Sequence, residues 1–416
     1  MNDFANLKTD SRWSFADCTR KQTRYITHGY YTYPAKFIPH LAARLIRELT
    51  RAGDIVADPF MGSGTTIVEA LVQGRRAIGV DINPVAHLVA KVKSMPIEPA
   101  LLTREYKRLA TGKARAKVVP RNERIDYWFP QTQKEKLGAI LGAITQIENP
   151  AAREFFLVAF AQILKSCSIW LQRSVKPTRD LHKMPAEPLA AFLKHACYML
   201  KQNEEFWNLV PPAVRADLSR FRVVDCADAR ALPSPDTQVG LIVTSPPYVT
   251  SYEYADLHQL TALWLAYCDS LPEFRKRFIG SAATERAVID LKSATAEEIC
   301  AELGNSKKGR EVRNYFADML ECFQEMYRVL KIGGKACIVI GNTELQGVEI
   351  LNAQVFIEQM ENSGFRNFKI IKREIPSKIL PQTRDPHSGR FTASSNAHKV
   401  LAYPVEYILI MEKSRV

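Results

Sequence analysis

The sequence predicts an α/β fold, a mostly parallel sheet with an antiparallel last strand, interrupted by a largely helical inserted region. Three observations carry this. Residues 54–83 read strand, glycine turn, helix, strand, and such βαβ units build parallel sheets. The same rhythm resumes at 221–248 and again at 314–374. Between the first two, 84–222 shows helical apolar spacing with no strand alternating with it.

The elements follow in order. Residues 1–28 are polar and mixed in charge and predict a loosely structured arm. In YYTYPAKFIPHLAARLIREL (30–49), Phe37, Leu41, Leu45 and Leu49 fall at helical spacing, and Pro39 suits a first turn. Ile55–Ala57 is a short buried strand and MGSG a glycine turn. Thr65 to Gln73 is a helix stopped by Gly74, and Ala77–Val80 is a second buried strand ending at Asp81. Helical patterns occupy 100–110, 132–147, 151–171, 187–207 and 213–220. FRVVDCADARAL (221–232) is a strand and polar loop, and VGLIVTSPPY (239–248) is a buried strand entering a Pro-Pro turn. Residues 249–315 form a second irregular stretch, with the charged runs RKRF (275–278) and NSKKGREVR (305–313). Asn314–Leu330 is a helix stopped by Gly333-Gly334, then Lys335–Ile340 is a strand. Ile350–Asn362 is a helix, Phe368–Arg373 a strand, and Val405–Glu412 a last strand pairing antiparallel with its neighbour. RDPHSGRFTASSNAHK (384–399) is polar and loop-like.

Composition narrows the function classes. The 416 residues are 46% apolar, enough for a sizeable core, and carry a net charge of +13 that favours a polyanionic partner. No run of about 18 uncharged apolar residues exists to span a membrane. The first residues lack the apolar core of a secretory signal, so the expected location is the cytoplasm. The eight cysteines make no C-x-x-C pair and no histidine clusters near them, so neither a metal site nor a disulfide framework is expected.

Two motifs carry chemistry. In Asp58-Pro-Phe-Met-Gly-Ser-Gly-Thr-Thr66, glycine lets backbone approach a ligand and the following helix start offers free amides. Asp81 closes the next strand, where a carboxylate can accept both ribose hydroxyls of a nucleoside. No lysine follows Gly64 as in a P-loop, and the pattern departs from G-x-G-x-x-G, which points away from a pyrophosphate. In Thr244-Ser-Pro-Pro-Tyr248, a buried strand delivers Ser245 and a rigid turn to a strand's carboxyl end. Ser245 Oγ and the Pro246 carbonyl can accept hydrogen bonds from a planar amine, and Tyr248 can stack on a base.

Together these segments resemble the amino-group DNA methyltransferases, which make N4-methylcytosine or N6-methyladenine. The resemblance implies a Rossmann-like methyltransferase sheet that binds S-adenosylmethionine. It places Asp58, Pro59, Phe60, Gly62, Ser63, Gly64, Thr65 and Thr66 around the cofactor, with Asp81 and Ile82 at its ribose. Tyr33, Pro34, Lys36 and Phe37 flank the methionine part, and Asp228 and Ala229 the adenine. Ser245, Pro246, Pro247 and Tyr248 hold the target amine, the serine form being typical of the cytosine branch. The implied partner is DNA with its target base flipped from the duplex, and N4 of cytosine leads N6 of adenine, with an RNA amine behind both. Neither a metal nor a membrane is implied, and monomer and dimer both stay open.

The expected organisation is 1–95, arm and cofactor half; 96–222, helical insertion and candidate target-recognition region; 223–250, catalytic motif; 251–315, second insertion with possible DNA contacts; 316–416, remainder of the catalytic domain. Arg104, Lys107, Arg115, Lys117, Arg121, Arg173, Lys176, Arg179 and 305–313 are candidate phosphate contacts, each equally readable alone as a solvated charge. Tyr127, Trp128 and Phe129 are either base-stacking or core aromatics, and Asp256 and His258 read as polar residues of a loop or helix start.

Overall fold

The structure is a computed structural model. It describes all residues except 1–3, 5, 35, 114–115, 250–253, 282–288, 376–382, 385–397, 399, 402–404 and 416. The candidate phosphate contact Arg115 and most of 384–399 therefore lie outside the described residues.

Seven strands form the central sheet: β1 (Ile55–Asp58), β2 (Arg76–Val80), β3 (Arg222–Asp225), β4 (Val239–Thr244), β5 (Leu330–Ile340), β6 (Arg366–Glu374) and β7 (Val405–Glu412). Their order is 3-2-1-4-5-7-6. β1 to β5 are parallel, and β7 runs antiparallel between β5 and β6. This is the Rossmann-like methyltransferase sheet that the motifs implied. Both faces are covered, which explains the near-continuous apolar strands. Ile55 and Ala57 enter one core and Val56 the other. Likewise Ile338 and Leu409 face one side, Val339 and Ile408 the opposite one.

α1 (Pro39–Leu49) and α2 (Thr65–Val72) cover the second face, α1 through Leu41, Leu45 and Ile46. α15 (Lys307–Val329) and α16 (Asn352–Asn362) cover the first. Val312, Phe316, Met319, Phe323 and Met326 make the apolar stripe of α15 at helical spacing.

A second group of helices builds a separate core. α3 (Pro84–Lys93), α4 (Pro99–Ala110), α5 (Glu123–Trp128), α6 (Gln131–Thr145), α7 (Pro150–Ile163) and α8 (Pro188–Leu209) gather around Phe155, Phe156, Phe160 and Phe192. Trp128 and Phe129 belong to this core, while Tyr127 stays exposed beneath Arg124 and Arg179. α9 (Pro212–Ala216) and α10 (Leu218–Phe221) lead back to the sheet.

Several expectations need correction. The arm is packed, not loose: Asp10 N–H bonds Lys372 O on edge strand β6, Trp13 is buried under Arg44, and Gln22–Arg24 and Ile26–Gly29 form 3-10 turns. An edge strand gains from such a cover. The helix expected over 151–171 stops at Ile163, because 169–180 folds into a bridged hairpin. The helix expected from Asn314 begins at Lys307, capped by Ser306 Oγ on Gly309 N–H. Gly333-Gly334 lies inside β5, where a bulge against β4 uses its freedom. The second insertion is not one unit. α11 (Tyr254–Leu257), α12 (Gln259–Trp264) and α13 (Leu271–Lys276) join the helical core, Trp264 meeting Phe129 and Phe160, whereas α14 (Ala294–Leu303) packs against α15 and α16.

Gly64 illustrates the fit between layers. Its φ is +75°, and a β-carbon there would lie 2.9 Å from Ala90 Cβ on α3. The glycine therefore serves helix packing as well as the turn. Gly64→Ala should lower stability by about 1–3 kcal/mol, combining left-handed strain with overpacking. Chemical denaturation checks this, and an unchanged midpoint would contradict it.

Candidate active site

β1, β2 and β4 end at the same edge of the sheet, so the segments that leave them share one cavity of about 870 Å³. Tyr33, Lys36, Phe37, Asp58, Pro59, Phe60, Gly62, Ser63, Thr65, Asp81, Ile82, Asp228, Ala229, Ser245, Pro247 and Tyr248 all line it. Two loops separated by roughly 180 residues of sequence thus face one space. Four expected residues do not line it. Gly64 is occupied by α3, and Thr66 Oγ1 is turned to Val243 O at 3.0 Å, tying α2 to β4. Pro34 lines a neighbouring cavity, and Pro246 is buried.

The glycine turn is held from within. Met61 N–H bonds Val80 O, Gly64 N–H bonds Met61 O, and Gly62 N–H donates to Asp81 Oδ2 at 2.9 Å. Asn83 N–H donates to Asp81 Oδ1 at 2.9 Å. Burial outweighs these two bonds and raises the Asp81 carboxyl to about 6. Each of its oxygens retains a lone pair for a ligand hydroxyl. A β-carbon on Gly62 would come 3.2 Å from Tyr33 Cε1, and its φ of +48° is left-handed, so the turn favours glycine beside that ring. Beneath it, Lys93 is fully buried and donates to Ser63 O at 2.6 Å. Burial drives the Lys93 amine well below its ordinary range. Nearby, Glu69 bonds His28 Nε2 at 2.8 Å and the Tyr25 hydroxyl, and burial raises its carboxyl to about 7.

Asp58 is 2% exposed and accepts from Thr244 Oγ1 at 2.6 Å and from Phe60 N–H at 3.1 Å. Desolvation dominates and lifts its carboxyl to about 7. Asp58 therefore joins the ends of β1 and β4 from inside the wall.

At the Pro-Pro turn, Tyr315 of α15 donates its hydroxyl to Pro247 O at 2.8 Å. Tyr248 lies against Gly341 and its hydroxyl reaches Glu406 at 3.4 Å, while Arg373 holds the other oxygen of Glu406 at 2.7 Å. Ser245 Oγ makes no hydrogen bond among the described residues. Thr65 Oγ1 is also buried in the wall with no partner among the described residues. The site thus offers two uncommitted hydroxyls on opposite loops. Asp228 is gripped by Arg230 through both oxygens, at 2.6 and 3.0 Å, and Arg230 also pairs with Asp318 at 2.8 Å.

Tyr315, Glu406, Arg373 and Lys93 escaped the sequence reading. They act from distant segments, and only Lys93, a cation within the apolar run of α3, leaves a local trace. Asp256 and His258 lie at helix starts, as expected, in the first turn of α11 and at the N-cap of α12. Asp256 pairs with Arg275 at 2.5 Å. His258 is buried, its ring 4.8 Å from that of Tyr33, and burial pushes it down to about 4, so it stays neutral.

The DNA methylase family model matches residues 5–92 and 239–416, well over half of the chain, and includes the second insertion. The chain is 26% identical over 403 residues to the Type II methyltransferase M.MvaI of Kocuria varians, covering 88% of this chain and 87% of that protein. It is 22% identical over 411 residues to the Type II methyltransferase M.BsoBI of Geobacillus stearothermophilus, covering 82% and 79%. A candidate DNA modification methylase of Thermus thermophilus, solved with S-adenosyl-L-methionine, shares 18% identity at a TM-score of 0.24, covering 46% of this chain and 54% of its own.

Because the folded pKa of Asp58 lies above its ordinary 3.8, its contribution to stability is full below that pH and is lost as pH rises through about 7. Wild-type stability should therefore fall as pH rises toward and through about 7, and Asp58→Asn should flatten that fall. Thr244→Val should remove about 1–3 kcal/mol by taking the hydroxyl donor from a buried carboxyl that keeps the Phe60 N–H. Denaturation curves across pH check both, and parallel curves for wild type and Asp58→Asn would contradict the assignment.

Proposed function

The chain belongs to the N6/N4 DNA methylase family, and from that premise we propose that it transfers a methyl group from S-adenosylmethionine to the exocyclic N4 amine of a cytosine in DNA. One observation carries the reading: the turn at Gly62-Ser63, the Asp81 carboxylate and the Ser245–Tyr248 corner line a single cavity. The residues present fit the cofactor. The cavity is large enough for a nucleoside beside a base, Asp81 retains acceptor capacity, and Thr65 Oγ1 lacks a partner among the described residues.

In this reading Asp81 accepts the ribose hydroxyls, and Ala229 with the Asp228–Arg230 pair borders the adenine. Lys36 and Phe37 border the methionine part. Burial lowers the Lys36 amine to about 8, and it donates to His28 O at 2.8 Å, which fixes its position. When bound, S-adenosylmethionine supplies an electrophilic sulfonium methyl.

The chain's own groups act on the amine. An exocyclic nitrogen is a poor nucleophile because its lone pair is delocalised into the ring. Ser245 Oγ, which lines the cavity, accepts an N–H and so localises the lone pair on nitrogen, while Pro246, buried behind it, keeps the turn rigid. Holding that nitrogen at a fixed approach supplies much of the acceleration. Tyr248, anchored through Glu406 and Arg373, is the wall on which the base rests. Its phenol is held neutral by burial. No cysteine nucleophile takes part, and the proton leaves to solvent. Ser245, the form typical of cytosine enzymes, supports N4 of cytosine over N6 of adenine.

Ser245→Ala should lower kcat by on the order of a hundredfold with cofactor affinity retained. Equal loss of cofactor affinity would contradict its role. Asp81→Asn should weaken cofactor binding by about 10- to 100-fold, as loss of charged hydrogen bonds does. Wild-type affinity should be full above about pH 6 and fall about tenfold per unit below it, since the acceptor is the carboxylate. Calorimetry across pH checks this, and a persisting pH dependence in Asp81→Asn would remove Asp81 from the ribose. Product analysis of DNA modified by the wild-type chain decides the base: N6-methyladenine in place of N4-methylcytosine would overturn the cytosine assignment.

A further inference from the structure

A second cavity of about 1020 Å³ adjoins the catalytic one, and Tyr33 and Leu257 belong to the walls of both. The hairpin at 169–180 divides them. Leu171 N–H bonds Thr178 O and Asp180 N–H bonds Ile169 O, each at 2.8 Å, which fixes its two strands. At its tip, Arg173 and Val175 line the second cavity, while Lys176 and Pro177 line the first.

The charge of this groove is one-sided. Arg20, Lys21, Arg24, Lys165, Arg173 and Lys194 line it against a single carboxylate, Glu205. Arg20, Lys21, Arg173 and Lys194 have no acidic partner among the described residues. On the catalytic rim, Arg275, Lys276 and Lys308 are neutralised by Asp256, Glu273 and Glu311, while Arg124, Lys176, Arg277 and Lys307 have no acidic partner among the described residues and continue the basic lining. Unpaired cations gathered in one groove are an electrostatic footprint for phosphates. The groove also carries the rings of Tyr31, Tyr33, Trp170 and Tyr198. Its floor is tightly built. A β-carbon on Gly29 would lie 1.9 Å from the Tyr198 hydroxyl, and His195 Nε2 meets Tyr30 O at 2.7 Å.

We propose that this groove is the track for the DNA backbone flanking the flipped target base, an assignment that rests on the methyltransferase reading. Continuity of the two cavities suits one polymer, with its target base in the first and its neighbouring phosphates in the second. A mononucleotide would engage few of the four unpaired cations. A strand places successive phosphates along them, while Tyr31, Tyr33 and Trp170 are buried in the wall and give the groove a rigid side. The packed arm then has a role: it brings Arg20, Lys21 and Arg24 to the groove. The hairpin tip inserts between target base and flanking strand.

The test uses the full chain and a mixed-sequence DNA duplex, because phosphate contacts are independent of sequence. Arg173→Glu and Lys194→Glu are compared with Lys369→Glu, which makes the same charge change on exposed edge strand β6. Each groove variant should raise Kd for DNA by about tenfold or more and reduce the salt slope by about one per cation lost. Calorimetric affinity for S-adenosylmethionine should be unchanged. Groove variants that bind DNA no more weakly than Lys369→Glu would overturn the track. Failure of the wild-type chain to methylate any DNA would instead strike the methyltransferase reading, whatever the groove variants do.

Discussion

The hydrogen bond from Thr244 to Asp58 is the constraint on which the site depends. It joins the carboxyl ends of β1 and β4, strands that pair directly although the helical insertion separates them in sequence. Thr66 reinforces it by donating to Val243 O. The glycine turn leaves β1 and the Pro-Pro turn leaves β4, so fixing these ends fixes the distance between the turns. A burial that raises the Asp58 carboxyl so far is costly in isolation, and the Thr244 hydroxyl and Phe60 amide offset that cost.

Each turn has its own support from another layer. Lys93 holds the glycine turn from below, and the Glu69 cluster beside it connects that turn to Tyr25 and His28 of the packed arm. Tyr315, Glu406 and Arg373 hold the other turn from α15, β7 and β6. Buried polar networks of this kind cost free energy unless satisfied, and when satisfied they fix geometry. Ser245 Oγ and Thr65 Oγ1 have no hydrogen-bond partner among the described residues, and both residues line the cavity between the turns.

The helical core adds the third wall. It takes α3 from the cofactor half, α4 to α8 from the first insertion and α11 to α13 from the second, sealed by Trp264 against Phe129 and Phe160. The tilted rings of His258 and Tyr33 meet where this core reaches the glycine turn. A cavity bounded by sheet edge on one side and helices on the other is wide enough to take a base, and its mouth continues into the basic groove.

The sequence by itself determined the sheet and most of the site. Glycine spacing and apolar runs made β1, α2, β2 and β4 legible, because strand and turn chemistry is local. Asp81 and Ser245 were legible for the same reason: a polar residue ending a buried strand has nowhere to go but the sheet edge. Only tertiary structure decided the rest. Gly64 and Thr66 look like ligand residues in sequence, but their neighbours are Ala90 and Val243, which no local pattern names. The arm reads as loose because its apolar residues are sparse, yet one Trp13 under Arg44 and a strand edge at Lys372 suffice to order it. Arg173 was legible as a candidate phosphate contact, but the cations at 20–24 and 194 carry no such signal until packing brings three distant segments to one groove. Local chemistry sets which elements form, whereas the meeting of charges and hydroxyls from distant segments depends on which faces those elements bury.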